Sequence, residues 1–377
     1  MTPPRWIDTP AALEALVARW RGEPALALDT EADSLHHHPA KLCLIQLADG
    51  AGSAHLVDPL ALPGLHPLGA LLADAATVKV IHAAENDLAW LKRGLRLTVR
   101  GLFDTAVAAR FLGVATLGLD GLLKRYLDVD PVPSRQKDDW SRRPLTPAQE
   151  TYALHDVLHL IPLRARLREE LRALGRLGWV EEECEALAAL PVPERPPDPD
   201  AWLGLKGARL LDPRGWAVLR ELHAGREALA VELDRPPFMI VGNESLVALA
   251  ARRPATAEEI AAVPGCSPTV VRRAGPMILA AVRRGLELPE VHLPRPRATP
   301  RPRVPGVVRR RAEALRVWRA RVAQTVGLEP GVVLPQRVID RLAAAPPEDR
   351  AGLAAVEGVR DWRAALFGDD LLKALRV

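Results

Sequence analysis

Cysteine, tyrosine and lysine are scarce in this chain of 377 residues. Its three cysteines, Cys43, Cys184 and Cys266, are widely separated and odd in number. They therefore fit neither a disulfide framework nor a cluster of zinc ligands, and we expect them to be small core residues. Only two tyrosines occur, so each one invites attention. Lysine occurs 7 times against 44 arginines, an imbalance that codon bias alone can produce.

Long apolar runs are lacking as well. No segment approaches the roughly 18 consecutive apolar residues of a membrane span. The N-terminus, MTPPRWIDTP, lacks the basic and then apolar pattern of a signal peptide. We therefore expect a cytoplasmic protein with no membrane partner. The composition is globular, with 48% hydrophobic and 26% charged residues, and the length allows two or three domains of roughly 100–200 residues.

Proline is concentrated in two stretches that divide the chain. Residues 191–202 contain five prolines and residues 289–306 contain six. Proline at this density blocks helix interiors and favours extended spacers. We therefore predict domains at 1–190, 202–287 and 307–377, joined by linkers at 191–201 and 288–306.

Positive charge is clustered around the second of these stretches. Residues 291–321 contain ten arginines and one acid, Glu313, whereas the remainder of the chain carries a net charge of −5. Guanidinium groups bind phosphate bidentately. We expect this arm to bind nucleic acid through its linker arginines, which are Arg295, Arg297, Arg301 and Arg303.

The sequence after residue 200 repeats itself without gaps at an offset of 93 residues. The matched positions are Leu222, Arg226, Ala230, Pro237, Leu249, Pro254 and Gly265 in the first copy and Leu315, Arg319, Ala323, Pro330, Leu342, Pro347 and Gly358 in the second. Such a register indicates two copies of one small helical module. Each copy predicts a long amphipathic helix, a proline-containing turn and then short helices ending at a glycine.

The first 190 residues follow a different pattern. The runs PALALDTEAD, KLCLIQLAD, SAHLVD and VKVIHA predict strands, and short connections between the first three predict an antiparallel meander. Helical stretches then alternate with strands, and helical periodicity dominates from residue 146 to residue 190. This order predicts an α/β sheet with crossover helices.

Acidic residues stand where these predicted elements end. Asp29 and Glu31 close the first strand, and the strand period sends both side chains to one face. Asp87 follows a strand-to-helix junction, whereas Tyr152 and Asp156 share one face of a later helix. Taken singly, each residue also fits an ordinary helix-start or surface position. Taken together, four hard oxygen ligands suit Mg²⁺ or Mn²⁺, and two such ions ~3.5–4 Å apart would clamp an in-line phosphoryl displacement.

In order and in context, these residues resemble a known family. The segments DTEADSL, LCLIQLADG, VIHAAENDLAWL, LFDTAVAARFLG and YALHDVLHLIPL are similar to the exonuclease motifs of ribonuclease D, in the DEDD branch whose third motif is Tyr-x-x-x-Asp. The resemblance covers nearly all of residues 1–190. It implies a ribonuclease H-like α/β domain with a mixed five-stranded sheet and flanking helices. The two repeats resemble all-α HRDC domains, and the second departs from the pattern in its turn, LEPGVVLP.

The resemblance implies a metal-dependent 3′→5′ exoribonuclease that releases nucleoside 5′-monophosphates. Asp29, Glu31, Asp87 and Asp156 would bind two divalent cations, Mg²⁺ or Mn²⁺. Tyr152 would orient, and help to deprotonate, the attacking water. The implied substrates are tRNA precursors or other structured RNA with a 3′ extension, and a monomer is favoured.

Two other functions stay open on the sequence. The first is a DNA-directed exonuclease of the same fold, because HRDC modules also accompany RecQ-type helicases and a metal cluster does not read the 2′-hydroxyl. The second is a nucleic-acid adaptor that kept the fold without activity. The intact set of carboxylates with Tyr152 argues against the adaptor.

Four residues near these motifs have both a functional and a structural interpretation. His82, at a strand end, would either touch the nucleic acid or lie in the core. Trp140 would either offer a base a stacking surface beside the phosphate-binding side chains of Arg142 and Arg143, or anchor its loop to the body.

Two nearby features receive structural interpretations. Asp104 precedes a helical run and is expected to cap that helix. The run from His36 to His38 is expected to be a solvated loop that touches nucleic acid, because consecutive residues cannot all face one metal ion.

Overall fold

The computed structural model describes residues 5–192, 198–294 and 304–376. The four linker arginines expected to contact phosphate, Arg295, Arg297, Arg301 and Arg303, lie outside these described residues. Among the described helices, none combines the length and the apolar character that crossing a membrane requires. All three cysteines are free and buried, as predicted.

A six-stranded mixed sheet forms the centre of the N-terminal domain. Its strands are β1 (Arg5–Ile7), β2 (Ala25–Ala32), β3 (Leu42–Asp49), β4 (Ala54–Val57), β5 (Val78–Ile81) and β6 (Leu102–Asp104). Their spatial order is β1-β4-β3-β2-β5-β6. The predicted meander is present, since β2, β3 and β4 pair antiparallel, whereas β5, β6 and β1 add parallel. The fold class is confirmed, with one strand more than the five that the resemblance implies. The sequence pattern itself predicted β2 to β5, since the edge strands β1 and β6 have three residues each and are too short for an alternating pattern to show.

Helices surround this sheet. They are α1 (Pro10–Trp20), α2 (His66–Ala73), α3 (Glu85–Ala89), α4 (Thr105–Phe111), α5 (Leu119–Leu127), α6 (Pro147–Leu158), α7 (Leu160–Ala173) and α8 (Leu177–Ala189), and a π-helical turn at Trp90–Gly94 follows α3. Helix α6 packs on β2, β3 and β4. A capping box fixes its start, because the Thr146 hydroxyl accepts from the Gln149 N–H while the Gln149 side chain accepts from the Thr146 N–H.

The C-terminal half consists of two helical modules. The first module has α9 (Pro213–Glu232), α10 (Pro237–Ile240), α11 (Asn243–Arg252), α12 (Ala257–Ala261) and α13 (Pro268–Glu287); the second has α14 (Gly306–Val326), α15 (Pro330–Val333), α16 (Gln336–Ala344), α17 (Arg350–Ala354) and α18 (Asp361–Ala374). Each helix of the second module begins 93 residues after its counterpart. One tertiary hydrogen bond also repeats, from Arg226 to the Val241 carbonyl (3.2 Å) and from Arg319 to the Leu334 carbonyl (3.0 Å). The predicted repeat is therefore structural.

The second module packs directly against the N-terminal domain. Trp362 of α18 stacks on Trp179 of α8, with ring centroids 4.7 Å apart, and meets Phe111 of α4 edge to face. The Glu182 carboxylate accepts hydrogen bonds from the backbone N–H groups of Asp361 (2.6 Å) and Trp362 (3.1 Å). An acid of the N-terminal domain thus caps a helix of the second module. By contrast, the first module has a hydrophobic core of its own.

The first module meets the N-terminal domain through the histidine run. The Asp234 carboxylate, which follows α9, hydrogen-bonds His37 Nδ1 (2.7 Å) and accepts from the His38 N–H (3.1 Å). On its other side the His37 ring faces Asp139 at 3.3 Å. Burial lowers the pKa of His37, but hydrogen bonds to Asp234 and Asp139 outweigh burial and leave the pKa raised. The run predicted to be a solvated loop is instead a bridge between domains.

Replacing Trp362 with alanine should destabilise the N-terminal domain together with the second module. Removal of a buried tryptophan side chain costs about 3–5 kcal/mol, and Trp362 is only 6% exposed. Urea unfolding followed by circular dichroism should show a lower midpoint. Leu366→Ala, on the exposed side of the same helix (52% exposed), is the control and should change the midpoint little. An unchanged midpoint in Trp362→Ala would show that the two parts do not depend on each other.

Docking of the first module should weaken as the pH rises. The pKa of docked His37 is raised. The attraction between protonated His37 and the Asp234 carboxylate is therefore fully present below the ordinary histidine pKa of about 6.5 and is lost as the pH rises through the raised value. Small-angle X-ray scattering should show a larger radius of gyration at pH 9 than at pH 6. Asp234→Asn should show the larger value at both pH values, whereas His66→Gln, an exposed histidine of α2, should behave like the unaltered protein. A radius of gyration that does not change with pH would refute electrostatic docking through His37 and Asp234.

Candidate active site

Three carboxylates converge at the end of β2. One oxygen from each of Asp29, Glu31 and Asp156 lies within 4.8 Å of the other two. The strand period places the first two on one face of β2, and α6, packed across that sheet, brings the third. The structure thus brings together three of the four predicted metal ligands without any contribution from the C-terminal modules.

Asp87 lies beside this group and not within it. It is buried near the start of α3, and its carboxylate accepts a 2.5 Å hydrogen bond from the Thr30 hydroxyl. Thr30 stands between the two acids of β2, on the alternate face of the strand. Burial is the largest cause of the raised pKa values of Asp29 and Glu31, and the charge of Asp87 raises both further. Asp87 is therefore an electrostatic neighbour of the cluster in this structure.

Tyr152 lies one helical turn before Asp156 on α6. It is 7% exposed and packs against Trp140, with ring centroids 6.2 Å apart. Burial and then the charge of Asp156 raise the pKa of its phenol. The hydroxyl is therefore neutral near pH 7, and it can both donate and accept a hydrogen bond at the carboxylate cluster.

Burial and mutual repulsion disfavour negative charge at the cluster. Burial, followed by the charges of Asp156 and Asp87, raises the pKa of Glu31 to about 8. Burial also raises the pKa of Asp156 to about 7 and the pKa of Asp87 to about 6. It raises the pKa of Asp29 strongly. Near neutral pH, acids so placed become ionised together much more readily when a cation compensates their charge. Hard carboxylate oxygens at this spacing fit a divalent ion such as Mg²⁺ or Mn²⁺.

The cluster opens into a cleft of about 480 Å³. Besides the acids and Tyr152, its lining includes the polar side chains of His82, Asp120, Ser134 and Gln136. The last three were not singled out from the sequence. Ser134 and Gln136 lie in the spacer SRQKDDWSRRPLTPAQ before α6, which is similar to the family's segment there, but no spacing or periodicity marks them or Asp120 as site residues. A larger cavity of about 1010 Å³ lies at the other end of the sheet, by the starts of β5 and β6, and contains none of the cluster residues.

His82 and Arg142 remain available to a ligand. His82 lines the cleft, and its Nδ1 hydrogen-bonds the Thr105 hydroxyl at 2.9 Å. Arg142 has an exposed side chain with one ion-pair contact, from its Nε to Asp139 at 3.2 Å. Neither contact prevents the side chain from meeting nucleic acid.

Trp140 and Arg143 have structural roles, which corrects the expectation that they contact nucleic acid. Trp140 is fully buried, so it cannot offer a stacking surface to a base. Arg143 binds both oxygens of Asp58, at 2.7 and 2.8 Å, and donates to the carbonyls of Cys43 and Trp140. Its guanidinium is thereby occupied in holding the loop before α6 against the sheet.

Asp104 caps α4, as predicted. Its carboxylate accepts from the N–H groups of Ala106 (2.8 Å) and Val107 (3.2 Å). It also accepts from Ala83 and Ala84, at the junction that leads into α3. Asp104 therefore fixes both the start of α4 and the backbone segment that leads to Asp87.

Comparison with known proteins adds independent findings. Residues 4–172 match the sequence model of a family described as 3′-5′ exonuclease, and residues 216–282 and 308–375 match that of the HRDC domain. Ribonuclease D of Pseudomonas paraeruginosa is 34% identical over 377 residues, covering 98% of this chain and 97% of the relative. Ribonuclease D of Gluconacetobacter diazotrophicus is 35% identical, covering 98% and 92%.

Solved structures agree with these relatives. Escherichia coli RNase D, described as an exoribonuclease involved in structured RNA processing, superimposes with a TM-score of 0.71 at 29% identity and 99% coverage of both chains. The catalytic core of RRP6 from Trypanosoma brucei superimposes with a TM-score of 0.66 at 27% identity, covering 75% of this chain and 80% of that one. The similarity to RNase D extends over both C-terminal modules.

Without divalent metal, the protein should lose stability as the pH rises. The pKa values of Glu31 (about 8) and Asp156 (about 7) are raised. The contribution of these two carboxyls to the free energy of unfolding is therefore fully present below the ordinary carboxyl pKa of about 4, and it is lost as the pH rises through 7 to 8. The melting temperature in EDTA should therefore fall between pH 5 and pH 8.5, and Mn²⁺ should reverse the fall.

Glu31→Gln should flatten this pH dependence, because one of the repelling acids is gone. Glu185→Gln, an exposed acid of α8, is the control and should keep the full fall. If both variants follow the same curve, the cluster does not govern the pH response. Differential scanning fluorimetry is sufficient for the comparison.

Proposed function

The chain belongs to the ribonuclease D family of 3′→5′ exoribonucleases, and we propose that its carboxylate cleft is the active site for trimming structured RNA that carries a 3′ extension, such as tRNA precursors. The observation that carries the assignment of the site is the approach of Asp29, Glu31 and Asp156 to within 4.8 Å. No other such group of metal-binding side chains occurs among the described residues. The substrate follows the relatives, whose E. coli member is described as acting in structured RNA processing.

Divalent metal use is implied by the family and fits the donor set of the cleft. We assign two ions to Asp29, Glu31, Asp87 and Asp156, with Mg²⁺ and Mn²⁺ both acceptable to carboxylate oxygens. When bound, the ions supply charge compensation and activation of water for phosphodiester cleavage. The four acids hold and orient them. Asp87 joins the set through its position beside the cluster, where its charge already acts on two of the other acids.

Tyr152 orients the attacking water in this proposal. Its hydroxyl lies against the Asp156 carboxylate at the cleft, and its ring is fixed by Trp140. A neutral phenol held in this way accepts a hydrogen bond from water while donating one to the carboxylate. Attack at the terminal phosphodiester would release nucleoside 5′-monophosphates.

Contacts to the body of the RNA come from other parts of the chain. We assign them to His82 at the cleft, to the exposed side chain of Arg142 and to the basic linker of residues 288–306, which separates the proposed HRDC domains at 202–287 and 307–377. A linker at 191–201 separates the first of these from the exonuclease domain at 1–190. The proposal includes a cytoplasmic location and a monomer, because the expected substrate is cellular RNA and the described site lies within one chain.

Asp29→Asn, Glu31→Gln, Asp87→Asn and Asp156→Asn should each abolish turnover, because loss of one ligand empties or displaces an ion in a two-metal site. RNA affinity, measured by fluorescence anisotropy, should largely survive. Asp130→Asn, an exposed acid of the same domain, is the control and should keep full activity. Near-normal rates in two or more cluster variants at saturating metal would refute the site.

Tyr152→Phe should lower kcat by about 10²–10⁴-fold, the contribution of a positioned proton-transfer group, with little change in KM. The unaltered protein and this variant should be assayed with Mg²⁺ and with Mn²⁺ on 3′-extended tRNA, unstructured RNA and matched DNA. Mononucleotides released from the RNA substrates alone support the proposal. Equal rates on DNA would overturn the RNA preference, and an unchanged kcat in Tyr152→Phe would make that residue a packing residue.

A further inference from the structure

Gln46, in the middle of β3, is a buried amide without a protein partner. Its side chain is 0% exposed. Neither its Oε1 nor its Nε2 has a hydrogen-bond partner among the described residues. A buried amide that forms no hydrogen bond lowers stability, so its place in the sheet calls for a reason. The mechanism proposed above does not use it.

Strand register places this amide next to the carboxylate cluster. Gln46 pairs with Asp29 across the antiparallel strands β3 and β2, so both side chains point to the same face of the sheet. Directly opposed residues have Cβ atoms roughly 4.5–5.5 Å apart. The register therefore places the Gln46 side chain beside that of Asp29, although the two form no hydrogen bond in this structure.

The other neighbours of Gln46 on this face provide few hydrogen-bond partners for its amide. On the far side Gln46 pairs with Leu56 of β4, which has no polar side-chain atom, and Leu44 is the next residue of β3 on the same face. Helix α6 covers the face, and the carboxamide oxygen of its Gln149 already accepts from the Thr146 N–H and hydroxyl, at 3.0 and 2.9 Å. Among the directly paired neighbours of Gln46 on the adjacent strands, Asp29 is the one whose side chain can accept a hydrogen bond from the amide.

We propose that Gln46 is a positioning residue for the reaction: when the site holds a divalent cation, the amide N–H of Gln46 donates a hydrogen bond to the Asp29 carboxylate and fixes the orientation in which that carboxylate binds the cation. The inference rests on the proposed function of the cleft. Hydrogen bonds of this kind to a ligating group typically change metal affinity by about 10–100-fold. Gln46 itself touches neither metal nor RNA in this account.

The test is Gln46→Met, which keeps the length of the side chain and removes both polar atoms. Mn²⁺ binding to the full-length protein without RNA, followed by electron paramagnetic resonance, should weaken by about 10–100-fold. The melting temperature in EDTA should stay the same or rise, because an unsatisfied buried amide has been removed. In turnover assays kcat should fall at limiting Mn²⁺ and recover at high Mn²⁺, while KM for RNA stays unchanged.

Two further variants separate positioning from packing. Leu47→Met, one residue along β3 and facing the opposite side of the sheet, makes a comparable change in the same strand and should leave Mn²⁺ affinity unchanged. Gln46→Leu also lacks an N–H donor and adds no metal ligand, so its Mn²⁺ affinity should be as low as that of Gln46→Met. Affinity equal to that of the unaltered protein in Gln46→Leu would overturn the proposal.

The remaining outcomes are equally decisive. Unchanged Mn²⁺ affinity in Gln46→Met, or a loss accompanied by an equal loss in Leu47→Met, would also overturn the proposal. Asp29→Asn is measured in parallel. If Asp29→Asn abolishes Mn²⁺ binding and Gln46→Met does not alter it, only the role of Gln46 fails. If Asp29→Asn leaves binding intact, the metal site itself is wrong.

Discussion

Repulsion among half-buried carboxylates at the end of β2 is the constraint on which the rest of the N-terminal domain depends. Asp29, Glu31 and Asp156 come from two elements that would separate if nothing held them together, since burial and like charge both oppose their approach. Packing of α6 across three strands supplies the opposing free energy. The site is therefore held in place by apolar burial behind it.

Hydrogen bonds and an ion pair set the position of that helix and of the loop before it. The capping box of Thr146 and Gln149 fixes where α6 begins, and therefore where Tyr152 and Asp156 point. Arg143, bound to Asp58, holds the preceding loop against the sheet. These residues lie one layer behind the cleft, and two of the contacts to nucleic acid expected from the sequence, Trp140 and Arg143, belong to this supporting layer.

Local spacing made part of this site predictable. A two-residue period on a strand and a four-residue period on a helix place Asp29 with Glu31, and Tyr152 with Asp156, whatever the surroundings. The hydrogen bond from Thr30 that draws Asp87 aside, and the burial of Trp140, depend on contacts between distant segments and leave no trace in local pattern. The same reason explains the modules: the repeat revealed two copies, but no local pattern indicated that Trp179 and Trp362 stack on each other.

The cap that Glu182 places on α18 has a consequence for the making of the protein. The acid and the N–H groups it binds are about 180 residues apart in the chain. On the ribosome, which adds about 5–20 residues per second, the N-terminal domain emerges many seconds before its last aromatic and hydrogen-bonding partners. Until then Trp179 and Phe111 lack the aromatic ring that covers them. An interrupted chain would therefore contain every proposed catalytic residue and still expose the aromatic surface that α18 covers. Helix α18 thus completes the surface of the domain that is synthesised first.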